Sequence, residues 1–124
     1  MKEKEEIINI IPVLPSADIA RDTAWYKNKM GFDIYFSDSM YAVLYRAPIC
    51  FHLQWHADTE TDSLLGGSEV RILVNDISPF YNEFLQRETI SSDDLKLNTP
   101  WQTNEFGFFD LNQNAIFFME NVAA

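Results

Sequence analysis

Cysteine is nearly absent from this chain of 124 residues: Cys50 stands alone, so it can form neither an internal disulfide nor a cluster of metal-bound thiols. Within Ile49-Cys50-Phe51 it reads as an inert core thiol, and a lone thiol makes the reducing cytoplasm the expected compartment. Glycine and proline are scarce too, at four and five residues. With 47% of residues hydrophobic, this excludes both a fibrous repeat and a disordered chain. Long apolar runs are missing. Segments such as Ala115-Ile116-Phe117-Phe118-Met119 fall far short of the roughly 20 residues a membrane-spanning helix needs. No apolar core of signal-peptide length follows the charged start Lys2-Glu3-Lys4-Glu5-Glu6, so neither membrane insertion nor export is expected.

Basic side chains are few. Nine Lys and Arg stand against nineteen Asp and Glu, for a net charge of -10, and both halves of the chain share the deficit. Phosphate backbones and anionic membranes are therefore poor partners, whereas a cationic ligand would be drawn in. Acidity also serves simply to keep a small protein soluble. Gly-x-Ser-x-Gly, a glycine-rich phosphate loop and Cys-x-x-Cys are all absent. The usual signatures of covalent catalysis and nucleotide binding are thus missing, and neither a cofactor nor a catalytic residue is expected.

What the sequence does contain is an order of elements that runs twice. Residues 7–14 are rich in β-branched side chains and read as a strand, with Pro12 and Pro15 marking its end or an edge. Ser16 or Asp18 can cap a helix carrying Ile19, Tyr26 and Met30 at helical spacing, and Gly31 stops it. Residues 32–36, 40–46 and 49–56 read as three strands. In the last, Phe51, Leu53 and Trp55 share one face, and His52, Gln54 and His56 the other. After a polar stretch ending in Gly66-Gly67, residues 69–74 are a strand, and Asp76 caps a helix with Ile77, Phe80, Tyr81 and Phe84. A polar loop follows over 88–94, then strands at 95–99, 106–110 and 115–120, the last two joined by a turn at 111–114. Asp18-Ile19 to Tyr26 and Asp76-Ile77 to Phe84 share the same offset. The expected fold is α+β: two βαβββ units, about 7–56 and 68–121, joined by a linker at 57–67 within one domain spanning 1–124, their mixed sheets curving around a cleft.

Several segments carry a resemblance. Ile11-Pro12-Val13-Leu14-Pro15 runs into Asp18-Ile19, Trp25-Tyr26 into Gly31-Phe32, and Phe51-His52-Leu53 lies in the fourth strand. In the second half stand Val74-Asn75-Asp76-Ile77, Pro100-Trp101-Gln102, Glu105-Phe106, and Asp110 through Asn114-Ala115. In order and spacing these resemble the glyoxalase and bleomycin-resistance-like proteins of the vicinal oxygen chelate superfamily. Gln102 and Gln113 stand where the family has glycines, and Leu111 where it has proline, which should only reshape turns. The resemblance implies the paired βαβββ fold and a homodimer with clefts at or near the subunit interface. It implies one of two functions. Enzymes of the superfamily hold a divalent metal through His and Glu on the first and last strands of each half. Binding members sequester a cationic, aromatic-rich drug without metal.

The metal positions are depleted here. Ile11-Pro12 offer no donor and Phe117 occupies the last-strand Glu position, while Glu69 and His52 stay open as potential ligands. Glu120 reads as a solvated carboxylate, and Asp93-Asp94 as a solvated turn. His52 and His56 lie roughly 13 Å apart at about 3.3 Å per strand residue, too far to share one ion. His52 resembles the His-Leu of the binding members. Aromatic residues are the stronger signal: ten Phe, five Tyr and three Trp exceed the needs of a small core. Trp101 lies in a polar segment, so it either lines the cleft or covers the core, and Trp55, Tyr41 and Phe117 are candidates to join it. Arg46 and Arg71 should each pair with a carboxylate, Glu69 for Arg71. The leading expectation is a non-catalytic protein that binds a small cationic aromatic molecule through Trp101, His52, Tyr41, Trp55, Phe117 and Glu69, with no metal. The alternatives are a metal-dependent lyase, isomerase or dioxygenase using Glu69 and a His, and a structural or regulatory dimer with a vestigial cleft.

Overall fold

In the computed structural model the described residues are 5–64 and 66–122. Residues 1–4 of the charged start, Leu65 of the expected linker and residues 123–124 lie outside them. The first run of elements is β1 (Val13–Ser16), α1 (Ile19–Met30), β2 (Asp33–Ser37), β3 (Tyr41–Arg46) and β4 (Ile49–Trp55). The second is β5 (Glu69–Leu73), α2 (Ser78–Gln86), a single 3-10 turn (Ser92–Asp94), β6 (Leu95–Lys96), β7 (Thr103–Phe109) and β8 (Ala115–Asn121). Each half builds a four-stranded sheet of the same order, β1-β4-β3-β2 and β5-β8-β7-β6. In each, the first strand runs parallel to the last and the others are antiparallel. The twofold βαβββ order read from the sequence is therefore present.

The helix ends follow from local chemistry. Asp18 accepts a hydrogen bond from the Arg21 backbone N–H at the start of α1, one of the helical donors that would otherwise lack a partner. Gly31 closes the helix at φ 71°, and its N–H reaches the Lys27 carbonyl, a conformation that costs glycine nothing.

Several boundaries depart from the sequence reading. The first strand is not 7–14, because Pro12 has no N–H to extend the ladder; the Pro12 carbonyl accepts from His52 and pairing begins at Val13. Upstream of it, Ile7, Ile8 and Ile10 stand exposed. Asp76 does not cap α2. Ile77 occupies the cap position without a side-chain bond, and Asp76 instead accepts from Ser78 N–H in a local turn. Glu120 is not a free solvated carboxylate: it accepts from Ile77 N–H at 2.8 Å and from Asn104 at 2.9 Å, anchoring the entry to α2. The strand expected at 95–99 is only two residues long, and the one expected from 106 starts at Thr103. Between them Asn98 and Gln102 adopt φ of 53° and 66°, which breaks the extended run. Gln113 also has a positive φ, 62°, so both glutamines adopt the left-handed conformation usual for the glycines they replace.

One core joins the two halves. Leu14, Tyr26, Phe32, Phe51 and Leu53 from the first pack in the same cluster as Ile77, Phe84, Phe106, Ile116 and Phe118 from the second. Each such side chain contributes about 1.5–3 kcal/mol on burial. Polar groups fasten the same seam reciprocally. Arg46, at the end of β3, grips Glu83 of α2 through two bonds of 2.7 and 2.8 Å. The turn between β7 and β8 is bonded in the other direction, to the β1–α1 region. Asp110 accepts from the Tyr26 hydroxyl at 2.6 Å, Asn112 donates to Asp22, and Asn114 donates to the Pro15 carbonyl. Asp22, Asp110, Asn112 and Asn114 are all buried, and each has partners across or within the turn, as burial of polar groups demands; among the described residues, only the Asn114 side-chain oxygen of these four side chains has none.

Candidate functional site

With one face of each sheet turned to the core, alternation along the strands sends the remaining side chains to an open face. On the second sheet, the register Arg71–Phe117–Gly107 and Glu69–Ala115–Phe109 sets these residues in two rows across β5, β8 and β7. Glycine at 107 is required by packing. A Cβ built there would lie 2.4 Å from the Phe117 ring, so the ring leans into the space the glycine leaves. The Arg71 guanidinium lies over that ring, 4.2 Å from its centroid, within range for cation–π attraction.

A linked set of contacts runs along this face. Trp101, in the turn before β7, donates its indole N–H to Glu105 at 2.7 Å, and Thr103 donates to the same oxygen at 2.6 Å. Arg71 bonds the other Glu105 oxygen at 3.1 Å and Glu69 at 2.9 Å. Beside it opens a groove of about 450 Å³, with Gly107 and Ala115 among its lining, flanked by Phe109 and Phe117 and approached by Asp93 and Lys96. Trp101 is 60% exposed and Phe109 66%, a state in which neither ring is stabilised by the core.

Glu105 is only 3% exposed. Burial by itself pushes its carboxyl up, but the hydrogen bonds from Thr103, Trp101 and Arg71 and the charge of Arg71 outweigh this and hold it below its ordinary value of 4.5. A carboxylate whose pKa is lowered by folding adds stability above its unfolded pKa, and loses that contribution as pH falls through the folded value. Urea midpoints measured from pH 7 down to pH 3 should therefore fall, and Glu105→Gln should flatten the decline. An unchanged slope in that variant would show that Glu105 is not a source of the acid sensitivity. Glu83, lowered by its bonds to Arg46 and then to Arg87, contributes with the same sign.

The six residues singled out from the sequence fall into three places. Trp101, Phe117 and Glu69 are linked through Glu105 and Arg71 on the second sheet. Tyr41 and His52 meet on the first, where the tyrosine hydroxyl lies 2.7 Å from His52 Nδ1. Trp55 joins neither. It lies at the end of β4, in phase with the inward-facing Leu53, and borders a smaller groove with Val13 and His56. Asp93 and Asp94 lie in a turn, as expected, which is a single 3-10 turn closed by a capping box between Ser91 and Asp94. Cys50 is half-buried rather than core, and burial raises its thiol pKa. Sequence reasoning had paired Arg71 with Glu69, as found, but missed Glu105, Gly107 and Phe109 as site residues. The lone glycine inside β7 was the available signal, since glycine in a strand often marks a close approach.

No family model matches the chain. The bleomycin resistance protein of Geobacillus stearothermophilus is 24% identical, over 94% of this chain and 98% of its own length. The crystal structure of a bleomycin resistance determinant encoded on the transposon Tn5 superposes with a TM-score of 0.76 at 19% identity, covering 91% of this chain and 97% of that one. A glyoxalase/bleomycin resistance protein/dioxygenase from Nocardioides gives the same TM-score at 11% identity, over 99% and 88%. This chain has the fold of the glyoxalase/bleomycin-resistance proteins and is similar to them in sequence along nearly its whole length. The bleomycin-binding protein of Streptomyces verticillus, solved with copper(II)-bleomycin, matches with a TM-score of 0.69 at 20% identity over 96% and 98%.

The divalent metal of the superfamily's enzymes does not fit the residues present. Glu69 is bonded to the Arg71 guanidinium, Phe117 lies beneath that same cation, and His52 is bonded to Tyr41 on the other sheet. Among the described residues, no three His, Cys, Asp or Glu side chains are grouped to hold an ion. No helix among them is long and apolar enough to cross a membrane.

Proposed function

We propose that this protein binds a small aromatic, cationic molecule on the open face of its second sheet without transforming it, in the manner of the bleomycin-binding proteins it resembles. One observation carries the reading: Trp101, Phe109 and Phe117 stand on an open face beside a groove, next to carboxylates, in a chain of net charge -10. Ring stacking supplies contact area there, and cation–π attraction adds about 0.5–2 kcal/mol. Tyr41 and His52 offer a second, hydrogen-bonding patch on the first sheet.

Titration with bleomycin, copper(II)-bleomycin and planar cations, followed by tryptophan fluorescence, tests the reading. Saturable binding that weakens as salt rises is expected, because part of the attraction is screened beyond a Debye length of about 8–10 Å. A preference for anions, or no binding by any probe, would count against it.

The homodimer implied by the resemblance belongs to the same proposal. Ile7, Ile8 and Ile10 are each more than four-fifths exposed, and a second copy would cover such apolar surface. Light scattering at micromolar concentration should give twice the chain mass, 28.8 kDa from 14.4 kDa; a monomer would contradict it.

A further inference from the structure

Arg71 is held with unusual completeness for a residue on an open sheet face. Nε is bonded to Glu69, one Nη1 proton to Glu105, and the guanidinium carbon lies over the Phe117 ring. Among the described residues no acceptor reaches Nη2. A guanidinium carries five N–H donors in a fixed fork, so three remain to be satisfied from outside, in an orientation set by two carboxylates and a ring. Orienting the fork in advance removes much of the entropy a mobile arginine would lose on meeting a ligand.

Resting on the proposal that the second sheet's open face binds an aromatic cation, we infer that Arg71 is a specificity-determining residue, selecting ligands that carry a neutral oxygen acceptor, a carboxamide, beside the ring plane. Two features favour a neutral acceptor over a carboxylate. Glu69 and Glu105 already outnumber the single positive charge of Arg71, and the protein as a whole repels anions. A carboxamide oxygen takes one or two of the free N–H groups without bringing further negative charge to the pair of glutamates.

The test uses the full-length protein and three probes with a common ring system: 9-aminoacridine, its 4-carboxamide and its 4-carboxylate. Wild type should bind the carboxamide about ten-fold more tightly than the parent, the scale expected for a hydrogen bond to a charged donor. The substitution Arg71→Lys keeps a positive charge beside Glu105 but replaces the fork with a single ammonium. The carboxamide and the parent should then bind alike, in a variant shown by circular dichroism to be folded. If Arg71→Lys does not fold, Arg71→Gln combined with Glu69→Gln provides the same comparison with less uncompensated charge. Equal binding of parent and carboxamide by wild type overturns the inference and leaves the broader reading standing, as does tightest binding of the carboxylate. Persistence of the carboxamide advantage in a folded variant does the same. Binding of no probe by wild type removes the broader reading and the inference together.

Discussion

Replacing Asp110 with Asn is expected to lower stability by about 2–6 kcal/mol, on the basis of about 1–3 kcal/mol for each buried donor left without an acceptor. The carboxylate accepts four bonds, two on each oxygen: the backbone N–H groups of Asn112 and Asn114 on one, the Tyr26 hydroxyl and the Asn114 side chain on the other. An amide of the same shape turns one of those oxygens into a donor facing two donors. Tyr26→Phe is the companion measurement. Burial first, then the Asp110 charge and hydrogen bond, push the Tyr26 phenol well above its usual range, so it keeps its proton and donates to Asp110. Removing that hydroxyl leaves three donors on Asp110, and the loss should be near 1 kcal/mol, the usual net value of one hydrogen bond. Urea denaturation monitored by circular dichroism gives both values. A smaller effect for Asp110→Asn than for Tyr26→Phe would mean that the turn does not fasten the two halves.

The second large effect concerns recognition. Trp101→Ala should weaken binding of a planar cation by about 1–3 kcal/mol, the range for an aromatic anchor, which is roughly 5- to 150-fold in Kd. The indole has two jobs that separate cleanly: its ring is exposed, while its N–H is spent on Glu105. Trp101→Phe retains a ring and removes the N–H, so it should retain most of the affinity while Glu105 loses one of three hydrogen-bond partners. If alanine and phenylalanine cost the same, the ring is not the anchor. If neither has an effect, the ligand does not lie on this face.

The repeated order of elements could be read from the sequence because its signals are local: the Asp18 cap, the Gly31 stop, and strand alternation across β3 and β4. The site was harder to read because its members belong together only through register. Glu69 and Arg71 are two residues apart, and their pairing follows from strand period alone. Arg71, Phe117 and Glu105, by contrast, sit on three different strands. Trp101, standing in a polar stretch, could be picked out, whereas Phe109 reads like any other member of an apolar strand. Pairing the first sheet's His52 and Tyr41 with the second sheet's Trp101 presumed one shared cleft. Within the chain Tyr41 and His52 bond each other on the first sheet, and Trp101 bonds Glu105 on the second. Asp76 misled for a local reason: an aspartate ahead of a helix can bond the next turn's N–H as readily as a helical donor.

Gly107 gives the open face of the second sheet a means of inherited variation independent of the core. A Cβ at 107 would collide with the Phe117 ring, and that ring lies under Arg71, so a side chain there must displace the phenyl group on which the cation rests, while Phe106 stays in the core. One codon can therefore reshape the contour presented to a ligand while the hydrophobic interior keeps its composition.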